Sequence, residues 1–401
     1  MGVALVEKGR QAVNSGSTDL ISVVIPFFNA SAYLEKCLQA LCGSEDRGYE
    51  LILVDDGSTD SSLEIARRFS GRVLRSAATR GPASARNRGA QEARGRILFF
   101  LDADVFCLPD TLATIREAFA ADPDLAAVIG SYDEAPPEPD FLSRYKNLTH
   151  HYVHQNASPE ASTFWTGCGA IRREIFLELR GFDESYRIPS IEDIELGYRM
   201  RARGYRIALC KRLLVKHAKR WTFASLLRSD VCDRAIPWTV LQLAYGNILD
   251  DLNVSRPQRA SSAFTCLAVL LGVLGFWSRW SLIGIPLALL PVIGWNQRLY
   301  RFYYKHGGAW FCLRATLMHW LYYIYSAVAF GIGCLKYLAQ LRSAKGGVSR
   351  RADQDAGDPQ RLHSVPPMPE KRQPGGPAGE DRSTIIEGLH GQARKENSQS
   401  R

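Results

Sequence analysis

Short apolar runs alternate with amphipathic segments through the first 250 residues. The runs are rich in β-branched and aromatic residues, as buried strands are, and lie at 22–26, 51–54, 72–75 and 97–101. The segments that follow them have apolar residues at helical spacing and lie at 31–41, 61–69, 83–94 and after Pro109. This alternation predicts a doubly wound, mostly parallel α/β sheet over residues 20–250, with helices on both faces.

The pattern changes after the fourth apolar run. Residues 131–162 are rich in proline and aromatic residues without a clear period, which predicts a long connection. Residues 191–203 again show the spacing of a helix. Residues 1–19 form an N-terminal extension without an apolar run of signal-peptide length, so we expect the domain to stay in the cytoplasm.

Residues 261–339 are strongly apolar and predict membrane-associated helices. The candidate runs are 261–277, 281–295 and 317–335, and each is close to the lower limit of about 17 residues for a membrane span. The first two predict a tight or re-entrant hairpin. The third is either a further span or an interfacial helix. The tail at 343–401 is polar and rich in Gly, Pro, Arg and Gln, which predicts disorder.

The net charge of +9 indicates an anionic partner. Basic residues flank the apolar runs, for example Arg256, Arg259, Arg298 and Arg301, so membrane lipids are the expected partner, and no motif indicates nucleic acid. Their placement predicts that both outer ends of the hairpin lie in the cytoplasm. The nine cysteines are scattered singly and predict neither a zinc site nor a disulfide framework.

Polar residues follow three of the predicted strands at the points where they end. Phe28 and Asn29 follow the first strand, Asp55 and Asp56 follow the second, and Asp102 and Asp104 follow the fourth. Ligands of open α/β sheets bind beyond the carboxyl ends of the strands, so these segments indicate one crevice. Two carboxylates spaced as Asp102 and Asp104 can share one hard cation with phosphate oxygens.

Each of these motifs also has an ordinary structural explanation. The Asp pair at 102 and 104 could cap a helix, and Asp55 and Asp56 could belong to a turn. Arg86, near a predicted helix start, could contact phosphate or lie on the surface. Glu192 and Asp193 begin another predicted helix, where carboxylates complement the helix dipole, but one could serve as a general base.

Six motifs together resemble those of family 2 glycosyltransferases, which are inverting enzymes of the GT-A fold. The resemblance covers about residues 20–225 and follows the family's order. The motifs are VVIPFFNA (23–30), LVDDGSTD (53–60), GPASARNRGA (81–90), FLDADV (100–105), TGCGAIRREIFLELRGFDE (166–184) and EDIELGYRMRARGYRI (192–207).

The resemblance implies a role for each matching residue. Pro26, Phe28, Asp55, Asp56 and Arg86 would bind the nucleotide of the donor. Asp102 would lie near the ribose or the metal, and Asp104 would ligate Mg²⁺ or Mn²⁺. Asp193 would be the catalytic base. The sugar and acceptor region would comprise Gly167, Cys168, Gly169 and Glu192, together with Arg220 and Trp221 discussed next.

One motif departs from the family pattern. Processive members have Q-x-x-R-W after the catalytic Asp, whereas this chain has His217 in place of Gln, followed by Arg220 and Trp221. This substitution argues against processive synthesis. Trp221 could stack on an acceptor sugar or lie at the membrane interface.

The resemblance implies a nucleotide-sugar donor, with UDP as the commonest nucleotide of the family, and a glycan or lipid-linked hydroxyl acceptor. The expected location is the cytoplasmic face of the inner membrane. A polyprenyl phosphate acceptor is an alternative that would have less need of a base. A nucleotidyltransferase would require a basic, Gly-rich loop after the first strand, which is missing here. A non-catalytic membrane scaffold is the remaining alternative.

Overall fold

The computed structural model describes residues 20–246 and 255–354, with side chains described as far as residue 342. The predicted extension at 1–19 and most of the predicted disordered tail lie outside the described residues. Contacts divide the chain into two units, Met1–Ser343 and Ala344–Arg401, and only helical residues 344–354 of the second unit are described.

The described residues form one eight-stranded mixed sheet. In chain order, the strands are β1 (Ile21–Phe27), β2 (Tyr49–Asp55), β3 (Arg72–Arg75), β4 (Ile97–Phe100), β5 (Val105–Cys107), β6 (Leu125–Tyr132), β7 (Gly169–Arg172) and β8 (Arg206–His217). Their order across the sheet is β3-β2-β1-β4-β7-β6-β8-β5. The four strands predicted from the sequence are confirmed as β1 to β4.

The sheet is parallel on one side and mixed on the other. β3, β2, β1 and β4 are parallel neighbours, with Phe27 opposite Asp55 and Val24 opposite Phe100. β7 is antiparallel to both of its neighbours, β4 and β6, and β5 is antiparallel to β8. The prediction of a mostly parallel α/β sheet is confirmed for the first half of the domain.

Eleven α-helices occur in the described residues. They either cover the faces of the sheet or follow it in the chain. They are α1 (Leu34–Cys42), α2 (Ser62–Arg67), α3 (Pro82–Glu92), α4 (Thr111–Ala121), α5 (Phe141–Asn156), α6 (Arg173–Glu178), α7 (Glu192–Ala202), α8 (Phe223–Arg228), α9 (Ile236–Ala244), α10 (Arg256–Leu274) and α11 (Ser281–Gln354). A π-helical segment, Ser229–Ala235, joins α8 to α9.

The prediction of a long connection over residues 131–162 is wrong, because this stretch contains the 16-residue helix α5. Asp140 caps the helix by accepting a hydrogen bond from the Ser143 backbone N–H. Its buried residues include both apolar Leu148 and polar Asn147 and His154. A buried face of mixed polarity hides the apolar period that would otherwise identify a helix.

Alternate residues of the central strand β1 enter two different cores. Val23 and Ile25 pack with Leu38 of α1 on one face of the sheet. Val24 packs with α3 on the other face, where Gly89 lies so close that an added Cβ would be 2.4 Å from Val24 Cγ1. Both faces of the strand are therefore covered, as the continuous apolar run at 22–26 predicts.

The C-terminal helices form a hairpin followed by a long return arm. α11 is broken at Gly308, whose φ of 72° and ψ of −172° are not helical. We call residues 281–307 its first arm and residues 309–354 its second arm. α10 packs on the first arm, since an added Cβ on Gly275 would be 2.4 Å from Leu282 Cδ2.

The second arm packs against the sheet domain along much of its length. Phe311 contacts Phe141 of α5, Tyr325 donates a hydrogen bond of 2.8 Å to Asp230, and an added Cβ on Gly333 would be 2.6 Å from Thr239. These contacts extend over several turns, so one side of the arm is covered by protein.

A buried polar network joins α10 to both arms of α11. Asn296 donates to Ser261 Oγ at 3.0 Å, and the Tyr323 hydroxyl donates to Gln258 at 2.6 Å and to Asn296 at 3.0 Å. Satisfied polar groups between apolar helices fix their relative register, because any other pairing leaves donors unpaired.

The hairpin tip and outer faces are strongly apolar and exposed. At the tip, Phe276, Trp277 and Trp280 are 88%, 80% and 76% exposed. By length and composition, Arg256–Leu274 and Ser281–Arg342 are each able to cross a membrane, and only 17% of each apolar window is buried. Exposed apolar surface of this extent is unusual for a soluble monomer and marks an interaction surface.

Candidate active site

The carboxyl ends of β1, β2 and β4 meet at one edge of the sheet. The parallel register places Phe27 opposite Asp55, and β4 ends at Phe100, directly before Asp102 and Asp104. The structure therefore brings together the three polar segments that the sequence predicts to converge. Phe28 is 48% exposed at this edge, whereas Pro26 is buried within β1.

The acidic pair after β2 organises the loops of this edge. Asp56 accepts hydrogen bonds from the backbone N–H groups of Arg80 and Gly81, at 3.0 and 2.8 Å, and so holds the start of α3. Asp55 accepts from the Ser58 N–H at 2.8 Å with one oxygen. Its other oxygen has no hydrogen bond among the described residues and faces Arg75 Nε at 3.4 Å.

Arg86 is buried at the centre of the site and bridges two carboxylates. Its guanidinium donates to Asp102 at 2.7 Å and to Glu192 at 2.8 Å. Burial opposes its charge, but the two carboxylates outweigh burial and raise the pKa of Arg86. The bridge links the end of β4 to the start of α7, and Arg86 and Glu192 are 106 residues apart in the sequence.

Because of this bridge, two residues lie in positions different from those that the sequence predicts. The side chain of Arg86 is 5% exposed with both carboxylates bound, so it does not face solvent as a phosphate-binding arginine would. Glu192 is 3% exposed and points at Arg86, away from the predicted acceptor region. Both residues act through their partners, because the two terminal nitrogens of Arg86 and the carboxylate of Glu192 are already paired.

Asp193 is held one residue beyond this bridge. One carboxylate oxygen accepts hydrogen bonds from the Thr166 backbone N–H at 3.1 Å and from its hydroxyl at 3.2 Å. Burial, followed by the negative charge of Glu192, raises the pKa of Asp193 to about 6, although Thr166, Arg86 and Arg234 act to lower it. A carboxylate with this pKa is suited to accept a proton near neutral pH.

Asp104 lies opposite His217, with its Oδ2 at 3.7 Å from the imidazole Nε2. Burial raises the pKa of Asp104, but the nearby His217 and the charge of Lys219 outweigh it and lower the pKa. No group of three or more His, Cys, Asp or Glu side chains with the spacing of a metal site occurs within residues 20–246 and 255–342. Asp104, with Asp102 nearby, fits a cation that takes most of its ligands from a diphosphate and water.

A column of stacked rings runs from His217 into the domain. His217 lies parallel to Tyr132 with centroids 4.4 Å apart, Tyr132 lies 4.2 Å from His150, and His150 lies 4.0 Å from His154. Trp165 packs against Tyr132, His150 and His154. Burial lowers the pKa of His154 to about 4 and lowers that of His150, so these two rings are neutral near pH 7.

Two glycines of the TGCG segment allow the backbone to approach this column. A Cβ on Gly167 would lie 2.5 Å from the Trp165 ring, and a Cβ on Gly169 would lie 2.3 Å from the Trp165 carbonyl oxygen. Cys168 between them is fully buried in the core. Its placement corrects the expectation that its thiol lines the sugar and acceptor region.

Trp221 is also placed differently from either expectation. Its ring is 6% exposed, packs in a core cluster with Tyr145 and Phe311, and is covered by Lys219 Nζ at 4.4 Å from the ring centroid. It therefore neither offers a free face to a sugar nor lies in a membrane interface. Arg220 is exposed beside it.

A cavity of about 460 Å³ opens beside Asp193. One wall comprises residues of the sheet domain, including Trp165, His150 and Arg234, and the other comprises residues of α10 and the second arm of α11. Sequence reasoning missed Arg234, His150 and His154. The only feature of the sequence that could have indicated them is the group of histidines in 150–154. This group lies in a segment without an apolar period, so no helix was predicted there.

The site geometry agrees with a comparison of the sequence against known families. Residues 22–180 match the model of Glycosyl transferase family 2. This region includes the acidic strand ends, Arg86 and the Trp165 segment. The chain contains a family 2 glycosyltransferase domain. The family predicted from the six motifs is thereby confirmed.

Curated relatives of the glycosyltransferase domain are also named glycosyltransferases. A validoxylamine A glucosyltransferase of Streptomyces hygroscopicus subsp. jinggangensis is 29% identical over 219 residues, which are 46% of this chain and 52% of the relative. An uncharacterized glycosyltransferase of Haemophilus influenzae is 39% identical over 98 residues, covering 23% of this chain and 39% of the relative. The chain thus spans about half the length, or less, of these relatives.

Among solved structures, a mannosyltransferase from Pyrobaculum calidifontis in complex with GDP-Man and Mn²⁺ is similar to the chain. The sequence identity is 19%, the TM-score is 0.47, and the match covers 77% of this chain and 86% of that one.

Proposed function

We propose that the glycosyltransferase domain transfers a sugar from a nucleotide-sugar donor to a hydroxyl acceptor, with inversion at the anomeric carbon. The observation that carries the proposal is the position of Asp193. It lines the cavity on one side, while its neighbour Glu192 reaches the acidic strand end through Arg86. Asp193 and the edge of the sheet at which the donor would bind are thus held in one rigid arrangement.

The donor nucleotide would lie at the carboxyl edge of β1 and β2. Phe28 offers an exposed ring, and Asp55 offers a buried carboxylate oxygen without a hydrogen bond among the described residues. A base or ribose supplies the donor groups that such an oxygen accepts. The name of the Streptomyces relative supports a hexose as the transferred sugar.

The diphosphate would lie beside Asp104 and Asp102. These carboxylates would hold Mg²⁺ or Mn²⁺, which when bound neutralises charge on the leaving diphosphate. Arg86 is a positioning residue in this scheme, because its guanidinium is occupied by Asp102 and Glu192.

Asp193 would remove the proton of the acceptor hydroxyl as that oxygen attacks the anomeric carbon. The new bond joins the acceptor oxygen to this carbon, and the bond from the carbon to the phosphate oxygen breaks with its electrons on the nucleoside diphosphate. Attack in line with the leaving group inverts the centre. The pKa of about 6 keeps Asp193 ionised before the reaction at neutral pH.

We further propose that the hairpin of α10 and the first arm of α11 anchors the protein in the inner membrane. The exposed Trp277 and Trp280 at the tip are suited to a membrane interface. Arg256 lies at the start of α10 and Arg298 in the first arm of α11, both away from the tip, which supports a cytoplasmic location of these ends and of the glycosyltransferase domain.

The first prediction concerns the metal. Asp104→Asn should abolish metal-dependent donor binding, because an amide does not replace a carboxylate ligand near a diphosphate. Asp102→Asn should weaken binding less. Calorimetric titration of nucleotide-sugars into the full chain, with Mn²⁺, Mg²⁺ or neither, measures both effects. Wild-type turnover by Asp104→Asn, with the metal still required, would contradict the assignment.

The second prediction concerns the base. Asp193→Asn keeps the shape of the side chain but removes the proton acceptor, so turnover should fall by about 10²–10⁴-fold with donor affinity nearly unchanged. Glu192→Gln weakens the Arg86 bridge without removing the proton acceptor, so its effect on turnover should be milder than that of Asp193→Asn. Near wild-type transfer to a hydroxyl acceptor by Asp193→Asn would sink the assignment. Transfer retained only with a lipid phosphate would move the acceptor into the phosphate class.

The third prediction concerns pH. The rate should fall about tenfold per unit as pH drops below the Asp193 pKa of about 6 and should level off above it, since only the ionised form accepts a proton. Glu192 acts to raise this pKa, whereas Arg86 and Arg234 act to lower it. Rates of wild type and Asp193→Asn are compared at saturating donor. The acidic limb should vanish in the variant, and its survival there would assign it to another group.

A further inference from the structure

The π-helical segment Ser229–Ala235 brings Arg234 to the same cavity as Asp193. Such segments are rare and are frequently found at functional sites. Within residues 20–246 and 255–342, the side chain of Arg234 makes no hydrogen bond or ion pair. Its position therefore depends on what holds the segment rather than on contacts of its own guanidinium.

Asp230 is the buried residue that fixes this segment. One of its carboxylate oxygens accepts a hydrogen bond from Lys146 of α5 at 2.5 Å, and the other accepts one from the Tyr325 hydroxyl at 2.8 Å. Ser190 holds the same segment by donating to the Asp233 carbonyl oxygen at 2.6 Å. Asp230 is 7% exposed, and a carboxylate at this depth is stable only with such partners. The segment is thus tied both to the sheet domain and to the second arm of α11.

The positive charge of Arg234 acts on several groups that line the cavity. Burial and the charge of Glu192 raise the pKa of Asp193, and Arg234 is one of the groups that act against them. Burial lowers the pKa values of His150 and His154, and the charge of Arg234 adds to this effect. Because the interaction between charges weakens with distance, the effect on Asp193 depends on where the segment holds the guanidinium.

Two ion pairs account for other charges near Asp193. They are the pair of Glu192 with Arg86, whose effects on the pKa of Asp193 oppose each other, and the pair of Lys146 with Asp230. The two histidines of α5 are neutral near pH 7. On the opposite wall, the titratable side chains of the lining are Arg259 of α10 and Tyr322 and Tyr323 of the second arm. A displacement of Arg234 would therefore change the electrostatic environment of Asp193 while both ion pairs stay intact.

We propose that Tyr325 is a positioning residue for the base. Through Asp230 it holds the π-helical segment so that Arg234 faces Asp193 across the cavity, and the arrangement depends on the packing of the second arm of α11. This inference rests on the proposed function, because it takes Asp193 as the base. With the arm packed in place, Arg234 favours the ionised form of Asp193, which is the form that accepts a proton.

Infrared titration of the full chain in nonionic detergent tests this proposal without any sugar acceptor. The band of a protonated carboxyl group that is present in the wild type and missing in Asp193→Asn reports the pKa of Asp193. Tyr325→Phe removes one hydroxyl and no charge, so a shift of this pKa reports a change of position. We expect the pKa to rise by about half a pH unit, because a nearby positive charge favours a carboxylate and is moved away. An unchanged pKa in Tyr325→Phe would overturn the proposal.

Variants of Arg234 show whether the shift passes through its guanidinium. Arg234→Gln should raise the pKa of Asp193 at least as much as Tyr325→Phe does, and Arg234→Lys should restore most of the wild-type value. Adding Tyr325→Phe to Arg234→Gln should then have no further effect. Additive shifts would show that Tyr325 acts by another route and would overturn the proposal. Tyr337→Phe, on the same arm but outside the lining of the cavity, is the matched control and should titrate as the wild type.

Rates of donor turnover, measured on the same samples, separate this inference from the proposed function. In Tyr325→Phe the acidic limb should move to higher pH with the infrared pKa, which lowers the rate on that limb by about threefold and leaves the plateau unchanged. A raised pKa without an acidic limb that depends on Asp193 would keep the role of Tyr325 and reject Asp193 as the base. An acidic limb that depends on Asp193 but does not move in Tyr325→Phe would keep the base and overturn the inference.

Discussion

The buried Arg86 guanidinium is the interaction on which the arrangement of the site depends. It draws the carboxylates of Asp102 and Glu192 together, although one follows a strand and the other begins a helix far along the chain. Arg86 and Glu192 are both deeply buried, and such charges are stable only when paired, since an unpaired buried charge is strongly destabilising. The loop after β4 and the start of α7 are consequently held together by the ion pairs of one arginine.

Neighbouring features use the geometry that this bridge sets. Asp193 follows Glu192 directly, so its place beside Thr166 depends on where Arg86 holds the start of α7. The ring column runs from His217 to His154, and its buried members His150 and His154 line the cavity as neutral rings at physiological pH. Arg234 also lines the cavity and acts to lower the pKa of Asp193, which burial raises.

The C-terminal helices complete the site as well as providing a candidate membrane anchor. Tyr325 reaches Asp230, and Asp230 in turn pairs with Lys146 on α5, so the second arm of α11 is tied to the segment that carries Arg234. Displacing this arm would therefore disturb the cavity as well as the hairpin. The cavity and the packing of the apolar helices therefore depend on the same contacts.

The sequence predicted the structure best where the spacing of apolar residues matches the pattern of buried residues. The first four strands and the convergence of their polar ends follow from continuous apolar runs with acidic residues directly after them. Helix α5 was missed, because its buried face mixes His154 and Asn147 with Leu148. Ion pairs between distant residues could not be predicted either. Nothing in the spacing of Arg86 and Glu192 shows that the two side chains pair, so Arg86 was expected to bind phosphate and is instead buried in an ion pair.

Arg234 could not be assigned from sequence for a related reason. Its orientation depends on a π-helical segment, and an extra residue in a helical turn leaves no distinct apolar period. Likewise, the cavity exists only because distant helices pack against the sheet domain. Local patterns specify elements, whereas the site depends on contacts between elements separated by 100 residues or more, such as Arg86 with Glu192.

A double-mutant cycle across the buried bridge tests this account most directly. Thermal unfolding of the full chain in detergent is measured for Arg86→Met, Glu192→Met and the double variant. Each single change should destabilise by about 3–5 kcal/mol, because it leaves a buried charge without its partner, whereas the double variant should be more stable than the sum of the two losses allows. Strictly additive losses would show that the two residues do not depend on each other and would contradict the account.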